Sequence, residues 1–149
     1  MLTNLFLGLP TMVLCLMLQV VLLGVATRYY LRYQSKVGSD SYWSSLLIIS
    51  GVMLLLLIGN LGQIAVWALL FRLLEEFQEF SDAFYHSAVN FGSLGYGDIV
   101  MSEQHKLLGA LEAINGVLMI GISTAALMST FQNATSKEIL RGKQRAGKK

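Results

Sequence analysis

The residues best able to do chemistry in this chain carry little side chain. Residues 91–100 read FGSLGYGDIV, with three glycines, one serine hydroxyl and one carboxylate between two apolar runs. Gly95 and Gly97 can take the positive φ angles that other residues resist. Non-helical backbone at membrane depth is tolerated only where it is buried in protein or lines a water-filled path. Other reactive groups are few: Glu112 is a lone carboxylate in an apolar run, and His86 and His105 are the only imidazoles. The sequence holds no metal-ligand cluster, catalytic triad or phosphate-binding loop, so an enzyme is not expected.

The elements that must position these residues belong to a bilayer. Of 149 residues, 54% are hydrophobic and 13% charged, against about 25% charged in soluble domains. The mean hydropathy is +0.58. The chain reads as an all-α integral membrane protein with one domain and no separate soluble ligand-binding module. Cys15 is the only cysteine, so no intrachain disulfide forms.

Three spans are predicted. Leu5–Ala26 is the first, free of charge and long enough to cross roughly 30 Å of hydrocarbon. A cleaved signal peptide is the rival, but no Lys or Arg precedes the run and the run is too long. Pro10 is expected near the helix start, where a missing N–H costs least, or else at a kink. Residues 28–40 read as a connector in which Arg28, Arg32 and Lys36 alternate with tyrosines. This is the composition of an interface anchor rather than of a voltage sensor. Residues 41–71 form the second span, with Asn60 and Gln63 bonding to a neighbouring helix and Gly51, Gly59 and Gly62 permitting close packing. Leu107–Phe131 is the third, with Glu112 inside it.

Charge orients these spans. The last thirteen residues hold six bases and one acid, whereas residues 73–82 hold four acids and no base. Counting Lys and Arg puts residues 28–36 and the C-terminus on the cytoplasmic side, and the N-terminus and residues 73–106 outside. Within the outer segment, residues 82–91 are too short to span and read as a re-entrant half-helix capped by Ser81 or Asp82. The division is 1–40 (first helix and basic connector), 41–132 (outer helix, half-helix, loop, inner helix) and 133–149 (basic cytoplasmic tail near anionic lipid).

SLGYGD after a half-helix, with a spanning helix on either side, resembles the pore module of potassium channels. The likeness covers about residues 44–132 and is closest to the small bacterial channels with two pore-forming helices, here with one helix added at the N-terminus. It implies a selectivity filter in which backbone carbonyls replace the water of a potassium ion. The ion ligands are then the carbonyls of Ser93, Leu94, Gly95 and Tyr96 with the Ser93 hydroxyl, and Gly97 completes the loop. Leu94 and Tyr96 turn their side chains into protein, and Asp98 fixes the outer end from behind. One chain supplies one loop, so the resemblance implies a homotetrameric pore. Potassium, membrane lipid and further copies of the chain are the expected partners. No cofactor and no nucleic acid is expected.

The supporting shell departs from the family pattern. Ser93 stands for the usual Thr, Gly92 for the Thr before it, Asn90 for a Thr two residues earlier, and Tyr85-His86 for a Trp pair. Val89 occupies the place of an acid in many relatives. Glu112, in the outer half of the third helix, is expected to answer for it by facing the half-helix near Asn90 or His86. The plainer reading is a protonated Glu bonded to a neighbouring helix. Gly116 aligns with the family's hinge glycine, with Gly121 a second hinge site, although packing explains glycines in spans equally well. Asn115, beside the hinge, is expected to line the cavity. His86 is expected to pack or bond around the filter, and His105 to be an ordinary rim residue. The alternatives are a weakly selective cation channel on the same scaffold, a potassium-transporter subunit, and a non-conducting membrane protein.

Overall fold

A computed structural model describes residues 1–36 and 42–146, and all its regular structure is helical. The helices are α1 (Leu2–Lys36), α2 (Tyr42–Leu73), α3 (Phe80–Phe91) and α4 (Lys106–Ala146). Three stretches are long and apolar enough to span: Leu2–Tyr33, Leu46–Leu73 and Lys106–Ser136. α3 is the short re-entrant element between the second and third of them.

The first helix is longer than its sequence suggests. Residues 28–36 are not a connector; they continue α1, because nothing before Gly38 breaks a helix and Arg, Leu, Gln and Lys are good helix formers. The side chain of Lys36, residues 37–41 and the side chains of the basic tail from 137 onward lie outside the described residues. Pro10 is likewise not near the start; it sits inside α1, eight residues past Leu2. It cannot donate to the Phe6 carbonyl, and one residue on, the Thr11 hydroxyl donates to the Leu7 carbonyl at 2.9 Å.

α2 and α3 end in the same way. Glu75 has φ 59°, with Glu76 N–H donating to Phe71 O at 3.1 Å and Glu75 N–H to Arg72 O at 3.2 Å. This is a Schellman cap, which satisfies carbonyls that the helix leaves free. At the end of α3, Gly92 is the last right-handed residue, with φ −77° and ψ −3°, and Ser93 follows at φ 55°. Leu94 N–H donates to Val89 O at 2.9 Å and Ser93 N–H to Asn90 O at 2.8 Å. At its other end α3 begins two or three residues earlier than its polar residues suggest. Glu79 is the N-cap and makes no side-chain capping bond, which leaves Ser81 and Asp82 in the first turn. Asp82 there favours the positive end of the helix dipole.

α1 packs against both α2 and α4, while α3 lies against α2 and α4. The core behind α3 is built from Trp67, Phe71, Phe77, Phe91, Leu108 and Met119. A second cluster of Ala26, Tyr30, Ile48, Val52 and Leu56 joins α1 to α2 at the other end. Between them runs a polar seam. Gln63 Nε2 donates to Gln19 Oε1 at 2.7 Å and Gln19 Nε2 to Ser123 Oγ at 2.9 Å, tying α2, α1 and α4 together. Asn60 Oδ1 accepts from Ser123 at 3.4 Å, so both polar residues of the second span bond across helices. At the outer end, Asn4 Nδ2 donates to the Gln104 carbonyl at 2.8 Å, which puts the start of α1 beside the segment that follows the GYGD loop.

At Gly116 the backbones of two helices meet. A Cβ there would lie 2.1 Å from the Phe91 carbonyl oxygen and 2.7 Å from its Cα, whereas one at Gly121 meets nothing within 4 Å. α4 runs unbroken through both, and Gly116 is the notch into which the last turn of α3 fits. Gly116→Ala is therefore expected to destabilise the protein by about 1–3 kcal/mol, because backbone must move. Gly121→Ala is expected to cost less; thermal melting of both variants in detergent checks this.

Candidate functional site

The loop after α3 alternates in handedness. Ser93, Gly95 and Gly97 have φ of 55°, 59° and 73°, and Leu94 and Tyr96 between them do not join the left-handed set. Such alternation turns successive carbonyls toward one side, which a helix or strand does not do. Two of the three left-handed positions are glycines, which adopt that region freely. Ser93 does not, and a non-glycine residue held there costs of order 1–3 kcal/mol. Its conformation is also the one that closes the Schellman cap of α3, so one residue ends the helix and begins the loop. Leu94 and Tyr96 are 57% and 66% exposed, so neither side chain is covered by its own chain.

The loop is held on both flanks. At its outer end the Tyr85 hydroxyl donates to Asp98 Oδ2 at 2.7 Å. That bond holds the Asp98 carboxyl below its usual range and raises the Tyr85 phenol. His86 bridges α3 to the segment after the loop: its Nδ1 lies 2.9 Å from Ile99 O and its Nε2 2.8 Å from Asn90 Nδ2. A carbonyl can only accept and an amide nitrogen can only donate, so Nδ1 carries the hydrogen and Nε2 accepts; the ring is neutral. Burial lowers the His86 pKa, with the Ile99 carbonyl, Asp98 and Glu76 partly opposing. Phe71 and Phe77 pack on the ring at centroid distances of 5.7 and 5.0 Å.

Glu112 faces α3, as its place in the third helix suggests. Its Oε1 pairs with the Ser87 hydroxyl, whose oxygen also lies 2.9 Å from the Ile64 carbonyl of α2. The Asn90 amide lies within reach of the same carboxylate. Glu112 and Ser87 are both 0% exposed. Ser87 is a residue the sequence reading passes over. Its signal is weak, a serine three positions before Asn90 in a helix where serine is unremarkable. Trp67, buried behind Ser87 in an apolar run, gave no sign either.

Two expectations need correcting. Asn115 does not line a cavity: it is fully buried, because Gly116 beside it is pressed onto α3 and turns Asn115 into the bundle. His105 is not a rim residue. It is 9% exposed, and its Nδ1 meets Glu76 Oε1. Glu76 also accepts from the Ser102 N–H at 2.7 Å and the Ser102 hydroxyl at 2.6 Å. Partial burial works against the charged carboxylate, but the Ser102 and His105 bonds outweigh it and lower the Glu76 pKa. This cluster straps the segment after the loop to the end of α2.

The family described as ion channel matches residues 53–133, from the middle of α2 through α3 and the GYGD loop into α4. The chain belongs to this ion-channel family. No curated protein and no solved structure matches it. In this ion channel the matched stretch is α2–α3–loop–α4, and α1 precedes it. Three spanning helices and an ion-channel domain make it a multi-pass membrane protein.

Two outcomes follow from the shell. Glu112→Gln keeps the shape but weakens the link between α4 and α3; a large fall in ion flux or selectivity is expected, with melting lowered by only about 1 kcal/mol. Tyr85→Phe removes the donor that lowers Asp98. A lowered carboxylate contributes stability above its unfolded pKa and loses it as pH falls through the folded pKa. In Tyr85→Phe the Asp98 titration is expected to move up toward the ordinary carboxylate range, and acid to disturb the loop at a higher pH. Side-chain carboxyl shifts followed by NMR across an acid titration check it.

Proposed function

We propose that the protein is a potassium-selective channel conducting K+ passively through a pore of four identical chains. The observation that carries this reading is the left-handed conformation repeated at Ser93, Gly95 and Gly97, directly after a half-helix between two spanning helices. A potassium ion sheds its water only where rings of oxygen replace it. The carbonyls of Ser93, Leu94, Gly95 and Tyr96, with the Ser93 hydroxyl, are the ligands in this reading, and Gly97 closes the outer end. The C-terminal end of α3, partially negative, favours a cation below them.

One chain carries one loop, and a ring needs several. The uncovered Leu94 and Tyr96 side chains fit the same conclusion, since neighbouring copies would bury them and hold the ring open. In the membrane the N-terminus and the loop face outward and the basic end of α1 and the tail face the cytoplasm, near anionic lipid. Asn4 bonded to Gln104 supports the first half of that arrangement. Gly116 and Gly121 are the candidate hinges, and bending at Gly116 has to part it from the Phe91 carbonyl.

The test is flux. The purified protein, reconstituted in vesicles under K+ or Na+ gradients, is expected to pass K+ far faster than Na+, and Ser93→Ala to narrow the difference. Equal fluxes would favour a weakly selective cation channel on the same scaffold, and no flux under any gradient would sink both.

A further inference from the structure

Besides Gln63 Oε1 on α2, four polar atoms behind α3 lack a hydrogen-bond partner among the described residues although their side chains are sealed from solvent. They are the indole Nε1 of Trp67 on α2, Oε2 of Glu112 on α4, and both Nδ2 and Oδ1 of Asn115 on α4. All three residues are 0% exposed. Glu112 and Asn115 are three apart and share a face of α4. Cys15 of α1 lies within interaction range of Trp67, Asn115 and Glu112, so the four side chains gather at one junction of three helices. Its sulfur is a weak acceptor and its S–H a weak donor, which leaves the stronger groups unsatisfied.

Each buried orphan costs about 1–3 kcal/mol, and the bilayer offers nothing to relieve it. The imbalance has a definite form. Two of the atoms are donors, Trp67 Nε1 and Asn115 Nδ2, and two are acceptors, Glu112 Oε2 and Asn115 Oδ1. One water molecule accepts two hydrogen bonds and donates two. A primary amide also binds a single water through its N–H and its carbonyl together, so Asn115 can supply both of its bonds to the same molecule.

We propose that α1, α2 and α4 enclose a site for one structural water, bonded by Trp67 Nε1, Glu112 Oε2 and the Asn115 amide. Buried waters of this kind typically make about three bonds and are costly to remove. The site is one step from the filter helix, because the other oxygen of Glu112 pairs with Ser87 of α3. The water therefore joins α2 to α4 at the support of the ion pathway. That consequence rests on the channel reading; the water itself does not.

The test needs no ion flux. The chain has two tryptophans, and the other, Trp43, is 71% exposed. In full-length Trp43→Phe protein in bilayers, solid-state NMR reads magnetisation transfer from water to the single indole N–H. Transfer to Trp67 is expected, to persist in Cys15→Ala, and to fall several-fold in Asn115→Leu, which keeps the branching at Cγ and removes the amide's donor and acceptor. Absence of transfer in Trp43→Phe overturns the proposal. So does transfer that Cys15→Ala abolishes, which would assign the indole to the sulfur, and so does transfer unchanged in folded Asn115→Leu. Should Asn115→Leu fail to fold, the Cys15→Ala comparison decides.

Discussion

The structure turns on a stretch of backbone that has no helix or sheet to satisfy it. Residues 93–98 lie between spanning helices, where an unpaired peptide group is costly, and their conformation alternates instead of repeating. Such a backbone persists only if its surroundings dictate it. Each neighbouring element can be read as part of that dictation. The Schellman cap fixes where the loop leaves α3, and Tyr85 fixes where it ends by bonding Asp98. His86 ties α3 to Ile99 beyond the loop, and Glu76 anchors Ser102 and His105 a little farther on. The loop is thus spanned from behind by bonds that skip over it.

The second consequence is that α3 must not move. A half-helix of twelve residues is too short to be stable alone, so its place is set by contacts. Phe91 at its end sits on Gly116 at a distance that excludes any side chain. Ser87 in its middle is held by Ile64 of α2 and Glu112 of α4 at once. His86 is wedged against Phe71 and Phe77. Close backbone approach, a buried polar bridge and aromatic packing act on successive turns of one helix, from different partners. Displacing α3 has to break all three.

Much of this was legible in the sequence because it depends on residue types with few uses. Glycines at 95 and 97 inside an apolar chain announce left-handed backbone, and charge-free runs announce spans. A lone Glu112 announces a buried partner. What stayed hidden depends on which neighbour a residue meets. Serine at 93 carries no sign of positive φ, because its conformation is imposed by the cap and the loop together. Ser87 and Trp67 are ordinary residues until α2, α3 and α4 converge on them. Asn115 and His105 looked exposed because polarity suggests water, whereas a close helix crossing buries one and Glu76 buries the other. The length of α1 was missed for a related reason: charge ends a span but does not end a helix.

α1 gains a role from the same logic. A helix added beside a pore module needs only an apolar face to lie against, and most of α1 offers that. Yet Gln19 sits in its middle, fully buried and bonded to both Gln63 and Ser123, with Cys15 one turn away against Asn115 and Trp67. In a bilayer, polar residues between helices are less a source of net stability than a constraint on register, since helices that separate find other partners for them. They fix how α1 slides and rotates against α2 and α4. Because Asn115 adjoins Gly116, and Glu112 is one turn before it, a shift of α1 is felt on the face of α4 that grips α3. The N-terminal helix is therefore placed to act on the loop in two ways, through its packing on α4 and through the Asn4 bond to Gln104 beyond the loop.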